Sequence, residues 1–376
     1  MAIYLDHAAT TQPSEPVISA ITDCLREHWG NPSSLHSFGL DAENVMKDAR
    51  AAVAGAIGAE AGEILFTSGA TEASNLALRG IAGSYGRHKR HIITSAVEHS
   101  SVRSTMDALE AMGYTVTRIL PREDGFHRED FLDAVTDDTF LISMMLVENE
   151  TGTMLPVESV FRYIKKKHPQ IITHCDAVQA FMKLPVHADT LHADLISMSG
   201  HKIHGPKGVG ALYVRKKTRL TPIVTGGKQE RGIRPGTEGT PLIAGFGAAV
   251  RYMEPTIKKR FDAVQKLHDT FLGMLSGLEG ITLNSPENGS PYIVNFSVKG
   301  IRSETMLHYL EKQEIFVSSG SACSKGAKSG VLAAYRIPDD RADSAIRVSL
   351  DVSNTVEELR TLLNAVREGQ ANLIHK

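Results

Sequence analysis

One lysine of this 376-residue chain stands where covalent chemistry is expected. Lys202 follows the apolar, strand-like run ADLISMSG and precedes a glycine-rich segment, in the stretch SMSGHKIHGPKGVG. Most lysines are solvated surface charges, but an amine at the end of a buried strand is partly desolvated, which lowers its pKa. Such an amine can form a Schiff base with a carbonyl compound. The stretch does not match the GxxxxGK[ST] pattern, which argues against an ATPase.

Two more polar clusters follow apolar runs. Asp176 ends one of them in HCDAVQ, and a buried carboxylate needs a partner: a salt bridge or helix cap, or the protonated ring nitrogen of pyridoxal phosphate. TSGATEASN (67–75) lies between a strand and a helix, where backbone N–H groups bind a phosphate or where Ser68 or Thr71 caps the helix. Three such clusters at successive strand ends favour one shared site.

The three cysteines, Cys24, Cys175 and Cys323, are too widely spaced for a disulfide framework or a metal pair, so we predict no metal. A reducing cytoplasm keeps a thiol available for reaction. Cys323 lies in SSGSACSKGAKSG (318–330), whose small residues predict a mobile loop, whereas Cys24 and Cys175 are expected to be structural.

Strand-like and helix-like segments alternate from about residue 60 to 225, and these elements must position the candidate lysine and aspartate. This rhythm predicts an α/β fold with a mostly parallel sheet, in which ligands bind beyond the carboxyl ends of the strands. A helical stretch at 240–280 should divide at Pro255, and a smaller α+β region follows. We predict a large cofactor-binding domain at 15–255 and a small domain, 1–14 with 256–376, that carries the cysteine loop.

The composition excludes several other classes of protein. The chain is 42% hydrophobic and 22% charged, with a net charge of −2, so no global field attracts nucleic acid or a membrane surface. No apolar run approaches the roughly 18 residues of a membrane helix. The start, MAIYLDHAATT, is not typical of a secretory signal, which favours the cytoplasm.

Together the motifs resemble those of one family, the cysteine desulfurases of the NifS/IscS type within the class V pyridoxal-phosphate aminotransferases. The resemblance implies fold type I, pyridoxal 5'-phosphate as cofactor, and a large domain with a mostly parallel mixed sheet. The matching segments are YLDHAATT, NPSSLH, TSGATEASN, EHSS, ENETG, DAVQ, SGHKIHGPKG, QERGIRPGT, SSGSACS and AIRVSL.

The resemblance implies a role for each cofactor-binding residue. Lys202 would hold the cofactor covalently, Asp176 would pair with its ring nitrogen, His99 would stack on the ring, and Gln179 would contact its phenolic oxygen. The residues expected to hold the phosphate are Ala70, Thr71, Ser199 and His201, with Thr237 reaching the phosphate of the neighbouring subunit in a homodimer.

The substrate side follows from the same resemblance. Asn149 and Arg347 would bind the carboxylate of L-cysteine, and Asn31 would lie near them. The Cys323 thiolate would attack the substrate sulfur and leave alanine and a persulfide. The persulfide would pass to an acceptor protein for iron–sulfur assembly, tRNA thiolation or cofactor biosynthesis. Glu148 in ENETG departs from the family, which usually has a second asparagine there.

Three other functions remain open from the sequence. A related pyridoxal-phosphate enzyme, such as a selenocysteine lyase or an aminotransferase, shares most of these motifs. A scaffold without activity would not need the lysine, aspartate, histidine and cysteine together. A nicotinamide dehydrogenase fits only the α/β rhythm, because no GxGxxG follows the first strand.

Overall fold

The structure is a computed structural model that describes residues 2–319 and 329–374, so Cys323 lies outside the described residues. Its strands, in chain order, are β1 (Ile3–Tyr4), β2 (Ile64–Thr67), β3 (His91–Ser95), β4 (Thr115–Ile119), β5 (Thr139–Met145), β6 (Ile172–Asp176), β7 (Leu195–Ser199), β8 (Gly210–Val214), β9 (Ile281–Leu283), β10 (Ile293–Val298), β11 (Ile315–Phe316), β12 (Ser318–Ser319) and β13 (Ala345–Ser349).

The helices separate most of these strands. They are α1 (Glu15–Glu27), α2 (Ser37–Ala56), α3 (Ala70–Tyr85), α4 (Ser100–Ala111), α5 (Arg128–Asp133), α6 (Val157–Lys167), α7 (Thr240–Met253), α8 (Ile257–Leu275), α9 (Ser303–Glu311), α10 (Gly330–Ala334), α11 (Asp339–Asp343) and α12 (Val356–Asn372). The long helical stretch divides at Pro255, as predicted, because the ring removes an N–H donor and a 3₁₀ turn at Glu254–Thr256 forms there. No helix in the described part of the chain is long and apolar enough to cross a membrane.

A seven-stranded sheet forms the centre of the molecule, in the order β2-β8-β7-β6-β5-β3-β4. Only β8 runs antiparallel to its neighbours, β2 and β7. Successive residues such as Leu195 and Ile196 enter separate apolar clusters on opposite faces of the sheet. Strands of a sheet covered by helices on both faces are nearly continuously apolar, so they can be recognised in the sequence as apolar runs. The predicted α/β fold with a mostly parallel sheet is confirmed.

Strand β4 was not predicted from the sequence. It forms the edge of the large sheet beside β3, and its first residue, Thr115, is exposed while only Ile119 is buried, at 8% exposure. An edge strand with one buried residue has a weak apolar pattern. β4 is a strand because it pairs with β3, and this pairing cannot be recognised from the residues of β4 alone.

The remaining strands form two smaller sheets. A four-stranded antiparallel sheet has the order β12-β13-β10-β9, and β1 pairs in parallel with β11. The N-terminal strand therefore joins a strand more than 300 residues away. The predicted boundaries at 15–255 and at 1–14 with 256–376 stay a prediction.

The loop before α7 is fastened to the large sheet by a buried carboxylate. Glu230 has φ 43°, in the left-handed region that non-glycine residues rarely adopt. Its carboxylate accepts two hydrogen bonds from Arg50, at 2.8 and 2.6 Å, and a third from the Phe66 backbone N–H at 3.0 Å. These bonds offset the cost of burying the charge and of the unusual backbone, and they fix the loop that continues to Thr237.

Glu230→Ala should lower the free energy of unfolding by about 3–5 kcal/mol, because the buried Phe66 N–H would lose its acceptor and the half-buried Arg50 guanidinium would keep only the Ile64 oxygen. Urea unfolding of the cofactor-free protein measures the change. Glu43→Ala is the matched control, since Glu43 pairs with Lys47 at 2.9 Å on an exposed helix face and should cost less than about 1 kcal/mol. Equal losses in the two variants would contradict the anchoring role.

Candidate active site

The carboxyl ends of the parallel strands bring most of the predicted residues to one edge of the sheet. Asp176 is the last residue of β6 and Ser199 the last of β7, and Lys202 ends the 3₁₀ turn that follows β7. His99 precedes α4, four residues after β3. The Lys202 charge lowers the pKa of both His99 and Asp176, and the Asp176 carboxylate raises that of His99, so the three groups lie close together in one partly buried site.

Lys202 is held by the N-terminal segment. Its ammonium Nζ donates to the carbonyl oxygens of Ala8 at 2.5 Å and Ala9 at 2.6 Å. The Gln179 side chain donates from Nε2 to the same Ala8 oxygen at 2.9 Å. The carbonyls of DHAATT thus converge on the lysine, a contact that sequence reasoning missed. The motif was visible, but its partners are about 190 residues away.

His99 is a neutral imidazole with a defined tautomer. Its Nδ1 accepts a hydrogen bond from the Ser101 backbone N–H at 3.2 Å, which caps α4. Since a backbone N–H only donates, the ring proton must sit on Nε2. Burial lowers the pKa of His99, opposed by the nearby Asp176 carboxylate. The ring can therefore hold one transferable proton at Nε2 near neutral pH.

Asp176 is a buried carboxyl group that lacks a cationic hydrogen-bond partner among the described residues. Its side chain accepts a hydrogen bond from the Val178 backbone N–H at 3.0 Å, and the residue is 4% exposed. Burial raises its pKa, which the Val178 N–H and the charges of His99 and Lys202 partly offset. A protonated pyridine nitrogen would supply the missing opposite charge, so the donor set fits pyridoxal 5'-phosphate.

A phosphate also fits the start of α3. Gly69 adopts φ 155° and ψ 176°, a region essentially restricted to glycine, and a Cβ there would meet no atom within 4 Å. No side chain caps the helix, and uncapped N–H groups in its first turn, at Ala70 and Thr71, can donate to an anion. The buried Ser199 hydroxyl has no hydrogen-bond partner in the described residues, which an anion would provide.

His201 lies beside this cradle and is uncharged near pH 7. Its Nδ1 is 3.3 Å from the Thr10 hydroxyl, and its carbonyl oxygen accepts from the Thr11 hydroxyl at 2.9 Å. Burial lowers the pKa of His201 to about 4, and the Lys202 charge adds to the effect. A neutral imidazole contributes hydrogen bonds, rather than charge, to a bound anion.

Arg347 is buried at the other side of the site. Its guanidinium donates to the Asn149 carbonyl oxygen at 2.9 Å and to the Asp6 carboxylate at 2.8 Å. Its Nε is buried with no partner among the described residues, so one donor remains for a carboxylate. Asp6 is a second neighbour that sequence reasoning missed.

Two predicted residues lie apart from this cluster in the single chain. Asn31 is exposed, and its side chain accepts from the Ser33 backbone N–H at 2.9 Å in its own loop. Thr237 is exposed on the loop that Glu230 fastens. Cys323 lies outside the described residues, so its placement and the roles given to the other residues stay predictions.

Comparison with known proteins identifies the family. The model of the aminotransferase class-V family matches residues 3–362. The chain belongs to the class-V aminotransferases. It is 39% identical over 369 residues to a protein named cysteine desulfurase IscS of Dictyoglomus turgidum, which covers 97% of this chain and 93% of that protein.

Solved structures agree with the assignment. A NifS-like protein superposes with a TM-score of 0.93 at 36% identity and covers 99% of this chain and 100% of its own. A structure described as SspA in complex with cysteine gives a TM-score of 0.83 at 34% identity, with 94% of this chain and 100% of its own covered. The chain is thus one of the cysteine desulfurases of the NifS/IscS type, and the predicted family, enzyme class and cofactor, pyridoxal 5'-phosphate, are confirmed.

Glu98 lies close enough to Asp176 for the two charges to interact, and it gives the site a testable pH dependence. Burial raises its pKa from the usual 4.5 to about 8, although Ser95 and the Met145 N–H donate to its Oε1. The folded protein therefore keeps a proton that the unfolded chain releases between these values, and stability should fall as pH rises across this window.

Glu98→Gln should make this fall shallower, by up to about 1.4 kcal/mol per pH unit, because the amide copies the protonated acid. Some slope should remain, since burial also raises the pKa of Glu150 to about 8. Urea unfolding of the cofactor-free protein at several pH values measures it. Glu110→Gln, at an exposed carboxylate whose pKa is lowered by Arg118, should leave the slope at high pH unchanged. An unchanged slope in Glu98→Gln would refute the assignment.

Proposed function

We propose that this enzyme removes the sulfur atom of L-cysteine with Lys202, His99 and Cys323 as its reacting groups. The observation that carries the proposal is the convergence of Lys202, Asp176 and His99 at one strand edge in a chain of this family. The products are L-alanine and a persulfide on Cys323. The substrate C–S bond breaks and a sulfur–sulfur bond forms, while the C–S electron pair stays with Cβ, which gains a proton and becomes the methyl group of alanine. Of the two thiol protons, one is thus replaced by the new methyl proton and the other remains on the persulfide.

Each protein group has a separate task in this reaction. When bound, pyridoxal 5'-phosphate supplies an electron sink that stabilises negative charge at the substrate Cα. Lys202 takes the Cα proton, Arg347 and Asn149 orient the substrate carboxylate, and His99 exchanges a proton at Nε2 with the substrate. Cys323 attacks the substrate sulfur as a thiolate.

Cys323→Ala should keep the visible absorbance of the bound cofactor and abolish the release of sulfide from cysteine. Lys202→Ala should lose both the covalent link to the cofactor and all turnover. Cys24→Ala is the matched control, because the Cys24 thiol is buried in α1 and should leave activity unchanged. Full activity in Cys323→Ala would favour a selenocysteine lyase, and a requirement for an added keto acid would favour an aminotransferase.

A homodimer is the second part of the proposal. An apolar surface at the end of α1 and the start of α2 remains exposed in the single chain, with Trp29 at 65% and Leu35 fully exposed. Phe38 and Leu40 continue it, and the Trp29 and Phe38 rings lie 5.3 Å apart. A patch of this kind is typical of an interface. A second copy covering it would leave Thr237 free to complete the partner's phosphate site.

Trp29→Glu should shift the protein from dimer to monomer and weaken its affinity for the cofactor at the same time, because a charge would enter the apolar interface. Light scattering and a cofactor titration measure the two effects. Met112→Glu, at another exposed apolar residue, is the control and should change neither. A wild-type monomer with full cofactor affinity would refute the dimer.

The delivery of sulfur completes the proposal. We infer a cytoplasmic enzyme whose persulfide passes to an acceptor protein for iron–sulfur assembly, tRNA thiolation or cofactor biosynthesis, without direct contact with nucleic acid. The near-neutral net charge of −2 supports a protein acceptor over nucleic acid. Transfer of label from radioactive cysteine to candidate acceptor proteins distinguishes the pathways.

A further inference from the structure

Lys183 is a buried lysine without a part in the reaction described above. It follows β6 by seven residues and is 5% exposed. Its ammonium Nζ donates to Oε1 of Gln179 at 3.1 Å and lies 5.6 Å from the centre of the Tyr292 ring. Among the described residues it forms no ion pair within 4 Å, so a charge buried here has little direct compensation.

The charge persists near neutral pH despite this burial. Burial lowers the pKa of Lys183 to about 8, and the Arg347 charge adds to the effect, while the Asp351 carboxylate opposes it. At pH 7 the side chain is therefore mainly an ammonium group, which can donate hydrogen bonds but cannot accept one.

An ammonium group that only donates restricts the orientation of the Gln179 amide. A glutamine amide has an oxygen that accepts and a nitrogen that donates, and either can face a given neighbour. Lys183 only donates and therefore requires Oε1, and the Ala8 carbonyl oxygen only accepts and therefore requires Nε2, so the two neighbours favour the same orientation from opposite sides of the amide. That Nε2 now bonds to the Ala8 oxygen, which also accepts from Lys202. The donor end of the amide is therefore the end that faces the catalytic lysine.

We propose that Lys183 is a positioning residue that holds the Gln179 amide with its N–H toward the phenolic oxygen of the bound cofactor. The inference rests on the proposed contact between Gln179 and that oxygen. An N–H donor stabilises the phenolate form, whereas a reversed amide would place two oxygens against each other. Lys183 acts through Gln179 and touches neither substrate nor cofactor.

Lys183→Met removes the donor but keeps much of the apolar stem. The cofactor should then dissociate about tenfold more readily, the size expected for one hydrogen bond to a charged group. The pH at which the visible band of the bound cofactor changes should rise by about one unit, because the phenolate loses its donor. Absorbance titrations with pyridoxal 5'-phosphate measure both quantities without turnover.

A double-mutant cycle separates positioning from general damage. In a Gln179→Ala background, Lys183→Met should change neither quantity further, because no amide remains to be oriented. Lys165→Met is the matched control: Lys165 pairs with Asp194 and donates to the Ile171 oxygen at 2.7 Å, away from the strand-end site. It should lower the melting temperature and leave the cofactor titration unchanged. If Lys183→Met does not fold, Lys183→Gln carries the test, because its amide no longer dictates one orientation.

Either of two results would overturn this inference and leave the proposed function standing. One is a Lys183→Met protein that melts lower, as Lys165→Met does, but binds the cofactor with unchanged affinity and spectrum. The other is an effect of Lys183→Met that persists in full without Gln179. A wild-type protein that takes up no pyridoxal 5'-phosphate would overturn the proposed function together with this inference.

Discussion

The arrangement of the site depends on the cost of burying the Asp176 carboxylate at one edge of the large sheet. Asp176 ends a strand whose five residues are all buried, and it is held by the Val178 N–H and by the charges of His99 and Lys202. These groups offset the desolvation of the Asp176 carboxylate only while they keep their places. The parallel strands supply that rigidity, because their ends are fixed by the hydrogen bonds of the sheet.

The N-terminal segment closes this site from outside the large sheet. β1 pairs with β11, and the Ser349 backbone N–H donates to the Leu5 oxygen at 2.7 Å, which fixes the first end of the segment. At its other end, the Thr11 backbone N–H donates to the His201 oxygen at 2.9 Å. The carbonyls of Ala8 and Ala9 then lie over Lys202. Residues from the start, the middle and the end of the chain thereby form one polar network.

Glu98 and Lys183 lie beside this network, and burial sets the protonation state of both side chains. Burial brings the pKa of each to about 8, so Glu98 is mainly neutral and Lys183 mainly charged near pH 7. A neutral acid near Asp176 avoids adding a second negative charge, and an ammonium beside Gln179 provides donors only.

The sequence by itself determined the fold class, the strands of the large sheet other than β4, and the local chemistry of the strand ends. Apolar runs that end at Asp176 and before Lys202 are local features, because strand burial and loop polarity are written in consecutive residues. The tertiary structure alone decided which distant groups meet them: Ala8 on Lys202, Asp6 on Arg347, and Lys183 on Gln179. Even Lys183, four residues after Gln179, required the fold, because only burial removes the water that would otherwise compete for the amide.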